Sequence, residues 1–389
     1  MEVADIIRAH GAAFAAQYGV SLTAEQWQAL RDLERCRTAA LGGHLAACDQ
    51  CGSRHLLYHS CRNRHCPKCQ GGRRAAWLER EASYLLPVEY FHVVFTLPAA
   101  LAELALLNRR RLYGLLFEAA SATVRVVAAD RRHLGAEAGL LLVLHTWGQN
   151  LHHHPHVHGI VSGGGLSCDA AGRVDAMPHW VSCRPGFFLP VRVLSRVFRG
   201  QYLAGLRRLY DAGQLRVPAA WASAAAFASW LTPLYRQDWV VYAKPPFGGP
   251  EPVLKYLARY TQRVALSNSR LVSLDGDQVA FTAREYAAGG RRRVLRLSGV
   301  EFLRRFVQHV LPRGFVKVRH YGLLSNRVRA AKLALCHWLL WRETLAVRAA
   351  MPVSAASVPR PCPTCGVGRL VRVAVLAAGA GGRARCDSS

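Results

Sequence analysis

Acidic residues are scarce in this sequence of 389 residues. It has 24 aspartates and glutamates against 51 lysines and arginines, which leaves a formal net charge of +27 spread along the chain. Lysine is rare as well, so most of the positive charge is on arginine. A GC-rich genome favours arginine over lysine, but that bias does not account for the missing acids. A soluble protein with this balance is expected to bind a polyanion, and nucleic acid is the first candidate.

Long hydrophobic runs are also missing. No segment has the roughly 18 consecutive apolar residues that a membrane-spanning helix needs, and the most apolar stretch, from Gly139 to Leu144, has the length of a strand. The N-terminus does not show the basic region and apolar run that are typical of an export signal. With 51% hydrophobic residues, we expect two or three globular domains in a cytoplasmic, nucleoid-associated protein.

Cysteine is frequent, and its arrangement favours metal binding over disulfides. The sequence has 12 cysteines without an export signal, which is typical of a metal-binding protein. The pairs Cys48-x-x-Cys51 and Cys66-x-x-Cys69 are two knuckles of the kind that closes a tetrahedral zinc site. Four thiolates leave no open coordination position, so we expect this zinc to be structural.

Further potential ligands surround these knuckles and leave a second zinc ion open: Cys61, His65, His59 and His44. Near the C-terminus, Cys362 and Cys365 form half of a zinc ribbon, and Cys386 alone cannot complete it. The partners of this pair are not identified by the sequence. The zinc region also carries basic side chains that are expected to bind DNA, namely Arg62, Arg64, Lys68, Arg73 and Arg74.

A run of histidines indicates a different kind of metal site. In the segment His152–His158, Pro155 precedes a strand in which His156 and His158 project from one face while Val157 turns to the core. Two neutral imidazoles at this spacing can share one divalent cation and leave positions for water or a phosphate oxygen. A His-rich surface loop is the alternative. The third ligand is open, and the candidates are Gln149, His145, His154 and Gln262.

Two tyrosines stand one helical turn apart. In the segment Tyr256-Leu257-Ala258-Arg259-Tyr260, the two phenols share one helix face. Tyrosine has a pKa of about 10 and attacks a phosphate poorly unless a metal polarises that phosphate. On spacing alone, a core or interface role is the commoner one for such a pair. Basic residues along the same helix favour phosphate binding, namely Lys255, Arg259 and Arg263.

Hydrophobic patterning predicts alternating helices and strands. Strands are expected at 90–97, 140–147, 156–161, 239–243, 279–284 and 292–297. Helices are expected at 1–45, 73–86, 101–131, 195–211, 221–231, 300–310 and 328–348, in addition to the helix with the tyrosines. Gly163–Gly165 is expected to end the histidine strand, and residues 167–190 show no clear pattern.

Together these motifs resemble the two-tyrosine HUH transposases of the insertion-sequence ninety-one family, which include the elements with common regions (HUH denotes His-hydrophobic-His). The resemblance covers nearly the whole chain and rests on several segments jointly. They are Ser60–Gln70, Phe95–Pro98, His145–Gln149, His154–His158, Tyr256–Thr261, Arg304–Phe306, Gly314–Phe315 and Arg319–Leu324.

The resemblance implies an α+β fold with an HUH endonuclease core, in which helices flank an antiparallel sheet and the tyrosine helix lies over a central histidine strand. It implies a helical and zinc-binding domain at 1–86, the core with the tyrosine helix at 87–270, and a basic DNA-binding region at 271–350. The tail at 351–389 holds the half zinc ribbon. Arg304 and Arg305 are expected to bind DNA within the basic region.

The resemblance also implies a chemistry. His156 and His158, with Gln149 as the third ligand, would bind Mg²⁺ or Mn²⁺, while Tyr256 and Tyr260 would be the nucleophiles. Each tyrosine would form a 5′-phosphotyrosine with single-stranded DNA at an element end, as in rolling-circle transposition. One or two structural zinc ions complete the expected cofactors. Expected partners are element-end DNA with its hairpins or motifs and target DNA, with no membrane; a dimer and a host helicase are open.

Two other functions stay open when only the residues are considered. A zinc-dependent nucleic-acid-binding protein without catalysis would use the histidines and tyrosines structurally. A metal-dependent nuclease would hydrolyse DNA with an activated water and form no covalent adduct. A tyrosine recombinase would form an adduct through a 3′-phosphate, but it would need an Arg/His constellation in place of paired metal-ligand histidines.

Overall fold

The computed structural model describes residues 1–69, 77–247, 252–253, 256, 265–285, 289–343 and 361–378. The α-helices with assigned bounds are α1 (Val3–Tyr18), α2 (Ala24–Arg35), α3 (Ala102–Leu107), α4 (Arg109–Ala129), α5 (Val191–Asp211), α6 (Ala224–Arg236), α7 (Gly299–Val307) and α8 (Arg329–Glu343). The strands are β1 (Gly43–Cys48), β2 (Arg54–Tyr58), β3 (Tyr90–Thr96), β4 (Ala136–Trp147), β5 (His153–Ser167), β6 (Trp180–Ser182), β7 (Val241–Phe247), β8 (Leu271–Asp275), β9 (Gln278–Glu285), β10 (Arg291–Ser298), β11 (Val318–Gly322) and β12 (Leu370–Leu376).

The mixture of helices and antiparallel sheets confirms the predicted α+β class. The chain divides into two compact units, and neither is one continuous segment. The first unit comprises Met1–Ala75, Gln262–Val310 and Ala349–Ser389, and the second comprises Ala76–Thr261 and Leu311–Arg348. These units cut across the domain boundaries that the resemblance implies, because strands distant in the sequence pair within the first unit.

The first unit combines α1, α2 and α7 with two three-stranded sheets, in the orders β12-β1-β2 and β10-β9-β8. Helix α2 begins at a capping box in which the Thr23 hydroxyl accepts from Gln26 N and the Gln26 side chain accepts from Thr23 N. The box satisfies backbone donors that the helix itself leaves unpaired. Nε2 of Gln26 donates in turn to the carbonyl of Val307. Because this side chain is buried, the bond fixes α2 against the end of α7.

The second unit is built around a six-stranded antiparallel sheet. Its main path runs β11-β4-β5-β3-β7, and β6 pairs with β5 beside that path. The histidine strand β5 is therefore central, with β4 on one side and β3 on the other. Both neighbours can place side chains next to those of β5 on the same face of the sheet.

The two faces of β5 have different environments. Because side chains alternate along a strand, Val157 and Val161 enter the hydrophobic core that α4 and α5 also line. His156, His158 and Ile160 project from the opposite face, where Ile160 packs with a smaller buried cluster. The alternation thus separates the packed core from the side of the sheet that carries the histidines.

The glycines in β5 continue the strand, so the prediction that Gly163–Gly165 ends it is wrong. The strand runs on to Ser167 and pairs with β4 and β6 through these glycines. A Cβ on Gly165 would overlap the carbonyl oxygen of Glu137, and one on Gly163 would lie 2.8 Å from the carbonyl oxygen of Glu89. The glycines therefore permit close approach of neighbouring backbones and do not form a turn.

Of two further predicted elements, one is confirmed and one is divided in the structure. The expected hairpin is confirmed by the pairing of β9 with β10. The helix expected at 101–131 is two helices, because the backbone of Asn108 leaves the helical conformation between α3 and α4. The Asn108 side chain binds both the N–H and the carbonyl of Arg216, so its side chain competes with helix continuation.

One helix in the described part of the chain, α4, is long and apolar enough to cross a membrane. Within it, 61% of the most apolar window is buried inside the protein. Its buried residues belong to the core under β5, as expected for the central helix of a packed unit.

Candidate active site and metal centres

Three histidines from two neighbouring strands form a cluster on one face of the sheet. His156 and His158 lie two residues apart on β5, and His145 on β4 lies directly opposite His156. One ring nitrogen of each lies within 4.8 Å of those of the other two. Imidazoles are common ligands of divalent transition metals, and three at this spacing can share one cation. The structure thus brings His145, one of the open candidates, to the predicted pair; we call these three residues the histidine cluster.

Hydrogen bonds orient the rings of His156 and His158. Nδ1 of His156 donates to the carbonyl oxygen of His154 at 2.7 Å, and Nδ1 of His158 faces other side chains. In His156, Nε2 is therefore the ring nitrogen that faces a ligand position. Burial lowers the pKa of His156 to about 4 and the pKa of His158 well below its usual range. Both imidazoles are therefore neutral at pH 7, which is the form that binds metal.

Tyr256 lies beside the histidine cluster. It is a helical residue, and its ring packs on the small cluster that contains Leu141 and Val253. Its hydroxyl oxygen lies 2.6 Å from Nε2 of His92 and 3.2 Å from Nδ1 of His158. With the His158 proton on Nδ1, the Tyr256 hydroxyl donates to Nε2 of His92. The phenol oxygen is thus held at the edge of the predicted metal site.

His92 on β3 connects Tyr256 with the histidine cluster. Its side chain is 3% exposed, and its ring stacks on that of His158 with centroids 5.2 Å apart. Its Nε2 lies 2.9 Å from Nδ1 of His158. Burial, reinforced by the charge of Lys244, lowers the pKa of His92 to about 3. A neutral His92 offers one acceptor nitrogen, which both neighbours approach.

Lys244 adds a positive charge on the same face. It pairs with His92 in the register of β7 and β3, so the two side chains leave the sheet on one side. Lys244 is exposed, and its Nζ lies 5.9 Å from the centre of the Tyr242 ring. The neighbouring histidines are neutral, so the exposed ammonium group of Lys244 supplies the positive charge that can bind a phosphate at this place.

His92 and Lys244 were not among the residues that the sequence patterns predicted for this site. His92 belongs to the predicted strand at 90–97, and strand alternation puts its side chain on the face opposite to those of Phe91 and Val93. The available signal was a histidine inside an otherwise apolar strand. It became interpretable only once β3 was known to lie next to β5.

The other residues predicted for this site fall into two groups. Gln149 lies in the turn that follows β4 and stays a proposed ligand, while His154 contributes its carbonyl oxygen to His156. The remaining predicted residues lie outside the part of the chain that the structure describes; they are Tyr260, Gln262, Lys255, Arg259 and Arg263.

Four thiols in the first unit form the first cysteine cluster, which consists of Cys36, Cys61, Cys66 and Cys69. Sγ of Cys69 lies 3.5 Å from Sγ of Cys36 and 3.6 Å from Sγ of Cys61. In a zinc tetrahedron with Zn–S bonds of about 2.3 Å, neighbouring sulfurs are about 3.8 Å apart. The four sulfurs therefore fit one zinc ion with little movement. The neighbouring Cys61 thiol, which donates to Cys36, lowers the pKa of Cys36 and makes it the first thiolate.

The grouping of cysteines differs from the one expected from spacing. Cys48 and Cys51 do not join Cys66 and Cys69; they lie with two cysteines from the C-terminal segment, Cys362 and Cys365. The reason is strand pairing: β1 ends at Cys48 and pairs along its length with β12. The two CxxC motifs of the N-terminal region therefore belong to separate clusters.

For two residues in or near the first cysteine cluster, Cys36 and His65, the structure differs from the sequence expectation. Cys36 was not singled out, because it stands alone at the end of α2 and 25 residues before Cys61. His65 was expected as a ligand, but it is buried with its Nδ1 3.0 Å from Oδ1 of Asn63. This contact orients the loop that carries Cys61 and Cys66.

The predicted DNA-binding residues of the described chain are partly paired with acids. On α7, Arg304 and Arg305 bind the carboxylate of Glu301 with N···O distances of 2.5 and 2.6 Å. Lys68 forms an ion pair with Glu2. DNA binding by these residues would therefore compete with intramolecular ion pairs.

The remaining basic residues of the zinc region are less defined. Arg62 and Arg64 lie in the loop between Cys61 and Cys66, and Arg62 has a positive φ of 52°. Arg73 and Arg74 lie outside the described residues. All four remain predicted DNA contacts.

Two family models match the chain. One is described as "Putative transposase" and matches residues 139–332, the part that contains the histidine cluster and Tyr256. The other is described as "Transposase zinc-binding domain", from IS91 transposases, and matches residues 6–97. The first cysteine cluster lies entirely within this second match.

Two curated proteins are similar to the chain. "Putative transposase y4qJ" of Sinorhizobium fredii is 48% identical over 403 residues, which cover 99% of this chain and 98% of that protein. "Transposase for insertion sequence element IS801" of Pseudomonas savastanoi pv. phaseolicola is 29% identical over 313 residues, which cover 77% of this chain and 72% of that protein. No solved structure matches the chain at a significant level.

Proposed function

The chain belongs to the IS91 family of transposases, and on that basis we propose that it cuts and rejoins single-stranded DNA with Tyr256 as a nucleophile. The observation that carries the proposal is the position of the Tyr256 hydroxyl, 3.2 Å from Nδ1 of His158 and hence next to the histidine cluster. A half-buried structural tyrosine also finds a hydrogen-bond partner, so the argument rests on which partners these are: two imidazoles, one of them in the histidine cluster.

The proposed cut is a transesterification. The Tyr256 oxygen forms a bond to the phosphorus of the scissile phosphate while the bond from that phosphorus to the 3′-oxygen breaks. His92, whose pKa is about 3, holds the phenol by a hydrogen bond at its Nε2 but is too weak a base to keep the proton. The phenol proton therefore passes to solvent, and the leaving 3′-oxygen takes a proton to become a hydroxyl. The product is a 5′-phosphotyrosine and a free 3′-hydroxyl end, and the reverse reaction rejoins DNA without ATP.

The histidines are suited to hold the cation that such a tyrosine needs. His156 and His158, with His145 and Gln149 as further ligands, would bind Mg²⁺ or Mn²⁺. The bound cation would polarise the scissile phosphate. The chain's own contribution is to keep these imidazoles neutral by burial and to fix the ligand nitrogen of His156 through its Nδ1 hydrogen bond.

Charge and position favour DNA as the occupant of this face. The net charge of +27 raises the local concentration of any polyanion. Lys244, exposed beside His92, is placed to bind a phosphate of the bound strand. Tyr260 would act as the second nucleophile, so that two DNA ends are held in succession during rolling-circle transposition.

The test is a cleavage assay with single-stranded DNA from the ends of the protein's own element and Mg²⁺ or Mn²⁺. With a label at the 3′ end of the strand, we expect the label to move to protein mass on a denaturing gel. With a label at the 5′ end, it should appear in a shorter free strand. The Tyr256→Phe variant should form much less adduct, and Tyr256→Phe with Tyr260→Phe should form none. Tyr242→Phe, at an exposed tyrosine on the same face, should keep the normal amount.

Each alternative function gives a different result in this assay. Cleavage without an adduct would indicate water as the nucleophile and a hydrolytic nuclease. The reversed pattern of labels would indicate a 3′-phosphotyrosine. Binding without cleavage would leave only the DNA-binding function. A normal adduct in Tyr256→Phe would refute the role of this residue.

A further inference from the structure

The four thiols of Cys48, Cys51, Cys362 and Cys365 form a second cysteine cluster, with all ligand sulfurs within 4.8 Å of one another. We infer that this second cysteine cluster binds a zinc ion of its own, which ties the C-terminal segment at 361–378 to strand β1. The matched zinc-binding segment, residues 6–97, contains only two of these ligands. The inference is independent of the proposed cleavage chemistry, because it concerns a closed structural site.

The distances between the sulfurs fit a zinc tetrahedron and not a pair of disulfides. Sγ of Cys48 lies 3.7 Å from Sγ of Cys365, and Sγ of Cys51 lies 3.8 Å from Sγ of Cys362. A zinc ion with four Zn–S bonds of about 2.3 Å places neighbouring sulfurs about 3.8 Å apart. A disulfide would require about 2.05 Å. Since all four sulfurs are close together, one central cation accounts for the arrangement.

The backbone around each cysteine pair forms the same knuckle. In the first knuckle the N–H groups of Gln50 and Cys51 point at Sγ of Cys48 at 3.4 and 3.5 Å. In the second, the N–H of Thr364 points at Sγ of Cys362 at 3.4 Å. Such donors stabilise thiolate over thiol, and a metal-bound sulfur is a thiolate.

A glycine directly follows each pair. Gly52 has φ 69° and Gly366 has φ 73°, a left-handed conformation that glycine adopts without strain. This conformation turns the chain back after the second cysteine, so that the backbone folds around both sulfurs of the knuckle. Two segments far apart in the sequence thus have the same local structure, which argues for a common ligand.

Backbone pairing brings the two knuckles together. Asp49 N donates to the carbonyl of Arg369 at 3.0 Å, and Arg369 N donates to Oδ1 of Asp49 at 2.7 Å. Gly368 lies between the knuckles, where a Cβ would overlap Sγ of Cys48. Its N–H points at Sγ of Cys365 at 3.3 Å. At Gly368 the sulfur of Cys48, from the opposite knuckle, occupies the space that a side chain would need.

The bound ion would close a very long loop. Cys51 and Cys362 are 311 residues apart, so the site joins β1 to the C-terminal segment at 361–378 within the first unit. Cross-links over long loops remove much entropy from the unfolded chain. Four thiolates also suit iron, so the identity of the ion must be part of the test.

The test is the metal content of the full-length protein, measured by inductively coupled plasma mass spectrometry after gel filtration. With His156→Ala and His158→Ala as the common background, which removes the histidine cluster, the otherwise wild-type chain should contain two zinc ions. The variant Cys362→Ser with Cys365→Ser should contain one, while Cys183→Ser, which alters a described cysteine outside both clusters, should retain two. One zinc in the otherwise wild-type chain, two in the variant without Cys362 and Cys365, or iron as the second ion would overturn the inference.

A second variant disturbs the geometry of the second cysteine cluster and keeps all four of its thiols. Gly368→Ala removes no thiol, but its methyl group would displace Sγ of Cys48. We expect this variant, in the same background, to contain one zinc ion and to fold with the first cysteine cluster loaded. Gly200→Ala, at a helical glycine with no atom within 4 Å of its Cβ position, should retain two. Two zinc ions in Gly368→Ala would show that the geometry around Cys48 is not that of a metal site.

Discussion

The Tyr256 hydroxyl oxygen and Nε2 of His92 lie 2.6 Å apart, although 164 residues separate them in the sequence. This hydrogen bond fixes the phenol on the face of β5 that carries the histidine cluster. It also gives the phenol proton an acceptor that burial keeps neutral, because burial lowers the pKa of His92 to about 3. Position and acceptor together make His92 the main positioning residue for the proposed nucleophile.

The first prediction concerns His92. In His92→Phe, which preserves the size of a buried side chain, the hydrogen bond to Tyr256 is lost. Loss of one such bond costs about 1.4 to 2.8 kcal/mol and should slow cleavage by about 10- to 100-fold. Single-turnover rates on labelled DNA would measure this effect.

Binding of Mn²⁺ distinguishes positioning from metal ligation in this variant. We expect His92→Phe to weaken Mn²⁺ binding less than His158→Ala does, since His92 is outside the histidine cluster and acts on the cation only through Nδ1 of His158. The matched control is His179→Phe at an exposed histidine, which should change neither quantity. An unchanged cleavage rate in His92→Phe would show that the hydrogen bond does not help the reaction.

The second prediction concerns the third metal ligand. His145 lies opposite His156 and within ligand distance of both other histidines, so His145→Ala should weaken Mn²⁺ binding at least about tenfold. His154→Ala should have little effect, because His154 acts through its backbone carbonyl. Calorimetric titration of Mn²⁺ would compare these variants with Gln149→Ala.

Each outcome of that titration identifies a ligand. A loss in His145→Ala with a smaller change in Gln149→Ala supports the three-histidine site. The reverse order would assign the third position to Gln149, as the family resemblance suggests. Addition of EDTA should abolish cleavage in either case, since an unpolarised phosphate is a poor target for a phenol.

The part of the site that could be predicted from sequence is the part encoded by a local pattern of residues. The spacing of His156 and His158 is a local strand pattern, and it correctly placed both side chains together. His145 and His92 reach the site through pairing of β4 and β3 with β5. Strand order is a property of the whole sheet, so no local pattern could rank these two among the 17 histidines.

The third prediction concerns the glycine run in β5. Gly165→Ala would force a methyl group onto the carbonyl oxygen of Glu137 and should lower the free energy of unfolding by about 1–3 kcal/mol. Gly200→Ala, in open space on α5, should instead raise it by up to about 1 kcal/mol, because alanine favours helix. Urea unfolding would measure both, and equal stability of Gly165→Ala and the wild type would contradict the packing described for β5.

The cysteines show a second limit of sequence-based analysis. Each CxxC motif was recognised, but four ligands can be combined in several ways when two sites are present. Proximity in sequence favoured Cys48 and Cys51 with Cys66 and Cys69. The pairing of β1 with β12 decided otherwise, and β12 lies in the tail for which only the half zinc ribbon, and no strand, was predicted.

The fourth prediction concerns the arginines of α7. Glu301 binds both Arg304 and Arg305, so Glu301→Gln should free both guanidinium groups for phosphate. We expect tighter binding to single-stranded DNA, by about 2- to 5-fold, and a steeper dependence on salt. Glu103→Gln changes the net charge equally at an exposed glutamate of α3 and should have a smaller effect in fluorescence anisotropy. Equal effects of the two variants would show that only net charge matters.

The central claim is that Tyr256 becomes covalently attached to DNA, and peptide mapping of the adduct tests it most directly. Trypsin cuts after Lys255, Arg259 and Arg263, so the two tyrosines fall on different peptides, 256–259 and 260–263. After cleavage of element-end DNA, nuclease treatment and trypsin digestion, mass spectrometry should find a nucleotide on the 256–259 peptide, linked through its 5′-phosphate to Tyr256. A nucleotide found only elsewhere in the chain, or cleaved DNA without any modified peptide, would contradict the account.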